Sequence, residues 1–392
     1  MPVLLMCAPA PVIDAPSGHC LDIKFVEGMR AYARAWPGPV QCVLWRGAAA
    51  IPFGQVYCPD TLGFGLTVLD AGAPLPPGLC HDVAVAMTSA DQPEFPAMMQ
   101  AARAAGVPVV VGIEYTLGTR MRIVWLDRTA GLLRKLRRSL WLLRHERATR
   151  RLIREAAGLQ CNGYPAHDAY AALSPDPLLY LDNRMSPALM ATAEDMAARA
   201  GRLRSGAPLR LIHSGRLEPM KGAQDLLPVM RALDALGVET TLDIYGTGSL
   251  APAIRDGLGA FGGRVRLHDP VDFETRLVPI SRTGADVFLS CHRQSDPSCT
   301  YVEAMGCGLA LAGYANRMWA RLSVESGCGQ VAPLGDAGAL AQAIARWHRD
   351  RAALIASAET GLAFARRHDF TAEFDRRMVH LRQVAGQSPS VS

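Results

Sequence analysis

Two cations stand five residues apart in the segment SGRLEPMKG, Ser214–Gly222. The segment follows the apolar run LRLIH and leads into the helical pattern that starts near Ala223. Gly215 turns the chain off the run, which leaves Arg216 and Lys221 where a diphosphate would rest against a helix start. A surface turn with two solvated cations is the competing reading. A second segment, DIYGTGSL, ends an apolar run in Gly246 and Gly248, which suit either close approach of a ligand to backbone or a tight turn. A third, SDPSCTYVEAMGCG, sets Asp296, Ser298, Cys299, Thr300 and Tyr301 ahead of Glu303. If Cys299, Thr300 and Tyr301 form a first helical turn, their amides offer an anion site, and Glu303 either complements the helix dipole or accepts ligand hydroxyls.

Other chemistries fit these residues less well. The spacings of Cys291, His292, Cys299 and Cys307 match no usual zinc pattern, so the cysteines read as buried small residues and no metal site is expected. A helix start lowers a thiol pKa, which makes Cys299 a minor candidate nucleophile, but no histidine is placed as its base. Neither a Walker loop nor a dinucleotide fingerprint occurs.

The elements that must hold these segments are legible as alternation. Short apolar runs and longer helical patterns follow one another from VLLMCAPA and IKFVEGMRAYARAW through VQCVLW, DVAVAM and VPVVVGIEY. A second series begins at LRLIHSGRL and continues through TTLDIYGTG, VRLHDPV and ADVFLSC. The chain has 392 residues, 49% apolar and 20% charged, too long for one ordinary core. The expected architecture is therefore α/β: two doubly wound, Rossmann-like domains facing a cleft, with ligands at the carboxyl ends of the strands. The boundary falls in the Pro-, Ala- and Gly-rich stretch near 185–206.

Ten cysteines without a C-x-x-C pair, and a start lacking the basic residues of a secretory signal, point to a cytoplasmic chain. No window of eighteen apolar residues is free of charge. The net charge of +5 is uneven, with twelve Lys/Arg against two acids between Arg120 and Arg154. Within it Leu132, Leu133, Leu136, Leu140 and Leu143 follow helical spacing. Such a helix either lies on an anionic membrane or packs its leucines on the first sheet and solvates its arginines. Nucleic acid is the rival partner, but interleaved aromatics and a reading motif are lacking, so none is expected.

In order, SGRLEPMKG, DIYGTG, VRLHDPV and SCTYVEAMGCGLALAGY resemble the C-terminal half of retaining glycosyltransferases of the GT-B fold, family 4. The resemblance is close over roughly residues 208 to 335. It implies an acceptor-binding domain over 1–190, joined by a C-terminal helix at 371–386, and a nucleotide-sugar-binding domain over 206–370. It further implies transfer of a sugar from a UDP- or GDP-sugar to a glycan or lipid acceptor, without metal or other cofactor; in the membrane reading of the basic helix, 132–155, such an enzyme is peripheral on the cytoplasmic face of the inner membrane.

By that resemblance Arg216 and Lys221 grip the diphosphate, Glu303 holds the ribose hydroxyls, and Gly215, Gly246, Ser298, Cys299, Thr300 and Tyr301 line the donor. The family's further glutamate, eight positions earlier, is Ser295 here, which leaves Asp296 to reach the donor sugar. Where the family often has a histidine after VPVVVGIEY stands Glu114, a catalytic candidate. Gly18, in APSGH read as a loop, offers its N–H to phosphate or acceptor, and His268 offers its ring to the base. An epimerase of the same fold, or a non-catalytic sugar-nucleotide binder, are the alternatives.

Overall fold

The computed structural model describes residues 1–47, 50–51, 54–127, 129–295 and 297–386. Seven parallel strands form the first sheet, in the spatial order Pro177–Tyr180, Gly158–Asn162, Val109–Ile113, Val83–Ser89, Val3–Cys7, Val40–Trp45, Gly65–Leu69. Six parallel strands form the second: Val265–His268, Thr240–Tyr245, Leu209–Ser214, Val287–Ser290, Ala310–Tyr314, Gln330–Ala332. In both sheets the chain runs outward from the first strand in one direction, then returns to its other side. This reversal opens a crevice beyond the carboxyl ends of the first and fourth strands. In the second sheet those ends are Ser214 and Ser290.

The strands read as continuous apolar runs because helices cover both faces. Leu211, Val287, Leu289, Ala310 and Ala312 are all buried in one core, and Leu4, Val40, Leu44, Val85 and Val110 in another. The helix Ile23–Ala35 starts where Asp22 accepts a hydrogen bond from the Phe25 amide at 3.0 Å.

A third, small sheet pairs Ile13–Ala15, Gly18–Asp22 and Gly54–Tyr57 antiparallel. APSGH is thus the turn and second arm of a hairpin, not a loop running from the first strand into its helix. Gly18 is held under Tyr57, whose carbonyl oxygen would lie 2.1 Å from an added Cβ.

Residues 185–206 are only partly connection. Thr192 and Asp195 form a reciprocal capping box, and the helix Ala193–Arg204 that follows buries Ala200 and Leu203 in the second domain's core. Arg199 is buried in that helix, and its guanidinium donates to the carbonyls of Ala285 (2.9 Å), Gly308 (2.6 Å), Cys307 (3.1 Å), Arg282 (2.6 Å) and Ser281 (3.4 Å). One side chain thereby satisfies the carboxyl ends of the helices Val278–Gly284 and Thr300–Gly306. The helix Phe370–Gly386 crosses back to the first domain, where Arg377 donates to Gln160 (2.9 Å) and to the Tyr32 hydroxyl (2.6 Å).

The cationic helix spans Leu132–Glu155 and buries Ser139, Leu142, Glu146, Thr149 and Ile153. Packing therefore uses a face offset from the leucine stripe. Leu132, Leu133, Leu136, Leu140 and Leu143 are exposed, together with Trp141, so the reading in which those leucines pack on the first sheet is overturned. Among the described residues no helix is long and apolar enough to cross a membrane.

Candidate functional site

The cation loop leaves the second sheet at its reversal point. Gly246, with φ +153°, lets the loop after Tyr245 lie against the Gly215 carbonyl, which would sit 2.0 Å from an added Cβ. That close approach is between two backbones and replaces the reading in which Gly246 makes room for a ligand. Gly222, with φ +69°, does the same against the Cys291 carbonyl and clamps the end of the loop to the strand end at Ser290. Arg293 secures the clamp with a bidentate pair to Asp225 at 2.8 and 2.7 Å, and the Arg293 and Gln294 amides both donate to the Met220 carbonyl.

Within this frame Arg216 is exposed and Lys221 buried. His213 and His292 lie beneath them, fully buried. Burial pulls the His213 imidazole down to about 4, with Lys221 adding to the effect, and holds His292 well below its ordinary value, with Lys221, His213 and Arg216 adding. The Leu289 carbonyl accepts from His213 Nδ1 at 2.9 Å, which fixes the neutral tautomer. Both rings are thus neutral neighbours of the loop's cations.

The sign of their effect on stability follows from linkage. Between pH 6.5 and about 4 the unfolded chain takes up protons that native His213 refuses, so stability present above pH 6.5 is lost as the pH falls. The loss expected from His213 alone is about 3 kcal/mol. Urea midpoints of wild type and His213→Asn between pH 7 and 4.5 test this. A wild-type midpoint that falls no more steeply than the variant's overturns it.

The third segment departs further from expectation. The helix Thr300–Gly306 is short, its Tyr301 amide already donates to the Ser298 carbonyl at 3.4 Å, and the Glu303 amide donates to Cys299 at 3.1 Å. The Tyr301 ring is buried against Trp319 (5.3 Å), with Asn316 donating to its hydroxyl at 2.9 Å, so that side chain belongs to the core and not to a donor pocket. Burial, with Glu303 beside it, raises the Cys299 thiol, which removes it as a nucleophile. The Ser298 and Thr300 hydroxyls bond each other at 2.8 Å. Ser295 accepts from the Arg317 amide at 3.0 Å and so supports the start of the helix Arg317–Ser326. Asp296 lies outside the described residues.

Glu303 is buried and already held. Arg184, on the connection between the domains, donates Nε to Oε1 at 2.7 Å and a second bond to Oε2 at 2.9 Å. Its guanidinium lies 3.7 Å from the centre of the Phe273 ring, in the π-helical turn Phe273–Leu277. The cavity beside Glu303 measures about 20 Å³, room for a water at most. Sequence reasoning missed Arg184 because it lies 119 residues from its partner. His268 is also engaged: Asp243 pairs with Nε2 at 2.7 Å, and one ring face stacks on Tyr245 at 4.5 Å. A contact to a base is left the other ring face.

Across the cleft, the first sheet's reversal point opens a cavity of about 670 Å³, walled by Ala8, Lys24, Asp91, Glu114, Arg120 and Arg377 among others. Asp91 organises it, accepting from the Glu114 amide at 2.9 Å and from Arg120 at 2.6 Å. Asn162 donates to Glu114 Oε2 at 3.3 Å. Gly18, held in its hairpin, is not on this wall. Lys24, Asp91, Arg120 and Arg377 were not singled out for this wall by the sequence, because they come from four separate elements that only the fold assembles.

Residues 208–350, the whole frame of the cation loop, match the family model for glycosyl transferases group 1. The second domain is a glycosyltransferase group 1 domain. Solved structures extend the likeness to the whole chain at the level of fold. HepE from Anabaena, in complex with UDP, is 16% identical, with a TM-score of 0.65 over 98% of this chain and 100% of that one. Sucrose-phosphate synthase from Thermosynechococcus elongatus is 17% identical, with a TM-score of 0.66 over all of both chains. WaaG, a glycosyltransferase involved in lipopolysaccharide biosynthesis, is 14% identical, with a TM-score of 0.59 over 96% of this chain and 99% of that one. The fold is GT-B. Among curated proteins none matches the chain.

In this glycosyltransferase domain, the loop that carries Arg216 and Lys221 and the helix that carries Glu303 follow the two central strands, which end at Ser214 and Ser290. No group of three His, Cys, Asp or Glu side chains gathers to hold a metal among the described residues.

Proposed function

We propose that the protein is a retaining, metal-independent glycosyltransferase of family 4 type that moves a hexosyl group from a UDP- or GDP-sugar to a glycan or lipid acceptor. The observation that carries the reading is the placement of Arg216 and Lys221 at the reversal point of a group 1 domain. There a departing diphosphate meets two fixed positive charges, one of them desolvated, and needs no metal to balance it. The complexes of HepE with UDP and with UDP-glucose favour a uridine nucleotide.

In this mechanism Arg216 and Lys221 stabilise charge as the bond between sugar and diphosphate breaks. Glu303 accepts the ribose hydroxyls once Arg184 has released it. The acceptor hydroxyl approaches from the cavity of the first domain, positioned by groups such as Glu114, and its proton passes to the leaving phosphate on the same face of the sugar. Positioning and electrostatics supply the catalysis, with no strong protein base required. The exposed leucines and arginines of the helix Leu132–Glu155 support a peripheral site on the cytoplasmic face of a membrane.

Incubation with UDP- and GDP-sugar panels, with and without membrane extract, tests the reading. Nucleotide release that requires an acceptor, and persists in EDTA, is the expected result. Donor isomerised without an acceptor identifies an epimerase instead. Thermal stabilisation with no turnover identifies a binding protein.

A further inference from the structure

The cavity beside Glu303, at about 20 Å³, is too small for a ribose, and Arg184 occupies both carboxylate oxygens. A ribose that bonds Glu303 therefore displaces the guanidinium. The Arg184 side chain is 34% exposed, so it has room to turn, and the Phe273 ring at 3.7 Å offers a face for it to turn on. A cation driven off one carboxylate is held best by another.

Besides Glu303, the acids whose charge reaches Arg184 are Asp182 and Asp272. Asp272 is committed, since it caps the turn Phe273–Leu277 and accepts from the Thr275 amide at 2.8 Å and from its hydroxyl at 2.6 Å. The Asp182 carboxylate is exposed and accepts no hydrogen bond among the described residues. It stands two residues before Arg184 on a pinned stretch of backbone. The Asp182 amide donates to Asn162 at 3.2 Å, and the Asn183 side chain bridges the Leu181 carbonyl (2.9 Å) and the Met185 amide (3.0 Å). Both residues thus keep their places while a side chain turns between them.

The charge around Asp182 favours the arrival of a cation. Burial raises its carboxyl above the ordinary range; Arg377 pulls it down, Glu303 adds to the rise, and Lys24 and Arg184 oppose it. Arg377 is already spent on Gln160 at 2.9 Å and on the Tyr32 hydroxyl at 2.6 Å.

We propose that Asp182 is the second seat of the Arg184 guanidinium: as ribose hydroxyls take Glu303, Arg184 turns from one carboxylate to the other. Asp182 is a positioning residue, which acts on the nucleotide through Arg184 without touching it. The inference rests on the transferase reading for the ribose at Glu303.

The test titrates UDP and GDP into wild type and Asp182→Asn by calorimetry and carries the tighter nucleotide forward. Loss of a negative charge from the cleft would by itself strengthen the binding of an anion. Asp182→Asn is nevertheless expected to weaken it about tenfold, because the displaced guanidinium has lost its seat. In an Arg184→Met background the same substitution is expected to weaken nothing. A second readout does not depend on the folding of Arg184→Met. The Arg184 Nε–H resonance, assigned by its loss in Arg184→Lys, is expected to shift when nucleotide is added to wild type, and to reach a different position in Asp182→Asn.

Equal or tighter nucleotide binding by Asp182→Asn, equal weakening in both backgrounds, or an unmoved Nε–H resonance overturns the second seat and leaves the transferase reading standing. Binding of neither nucleotide to wild type removes both.

Discussion

Lys221→Ala and Arg216→Ala are each expected to lower kcat by about 10² to 10³, the range found when one preorganised group is removed from a developing negative charge. The two positions separate binding from catalysis. Arg216 is exposed, so its charge is diluted by solvent until a nucleotide covers it, and its loss is expected to raise the donor KM as well as lower kcat. Lys221 is buried over two neutral imidazoles, where its charge acts through a low dielectric, and its loss is expected to fall mainly on kcat. Lys221→Met keeps the stem that fills the loop and separates charge from packing. Circular dichroism and thermal midpoints check the fold. Full transferase activity in both alanine variants would sink the site assignment.

Arg199→Leu is expected to destabilise the protein by about 4 kcal/mol, because five carbonyl contacts are lost from the ends of two helices that water does not reach. Arg199→Lys recovers little, since one ammonium cannot serve both helix ends in the plane that a guanidinium spans. The damage extends to the site. The helix Thr300–Gly306 carries Glu303 at its centre and is too short to hold its own position once its carboxyl end is freed. Urea unfolding measures the first effect, and protection of the folded protein by UDP measures the second. A ΔΔG below about 1 kcal/mol, the ordinary cost of a surface change, refutes the assignment.

What could be read from the sequence follows from the range of each interaction. The strands were legible because parallel strands covered on both faces become unbroken apolar runs, as VLLMC and ALAGY do. The cation loop was legible because its two cations and its two turning glycines, Gly215 and Gly222, are close neighbours in the chain, while the clamp on it from Cys291 and Arg293 was not. The hairpin at Gly18 was misread because its three short strands pair outside the main sheet and bury little. The leucine stripe was correctly periodic, yet periodicity marks a face without saying what covers it; packing was decided by Ser139, Glu146 and Thr149, polar residues that hydropathy assigns to solvent. Glu303 was recognised, but not its partner. Arg184 lies in a stretch whose composition speaks only of connection, and only the closed chain brings the two together.

The pair between Arg184 and Glu303 makes the protein a competitor for its own carboxylate. A ligand that uses this carboxylate must first break two charge-assisted bonds, so its measured affinity is the intrinsic one scaled by the fraction of molecules already open; if one in a hundred is open, binding weakens about a hundredfold. Arg184 sits on the segment that ties the domains together. Asn183 and Met185 on either side stay bonded to the chain at His368 and Phe370, so unlatching Glu303 takes the turn of one side chain and leaves the tie between the domains in place.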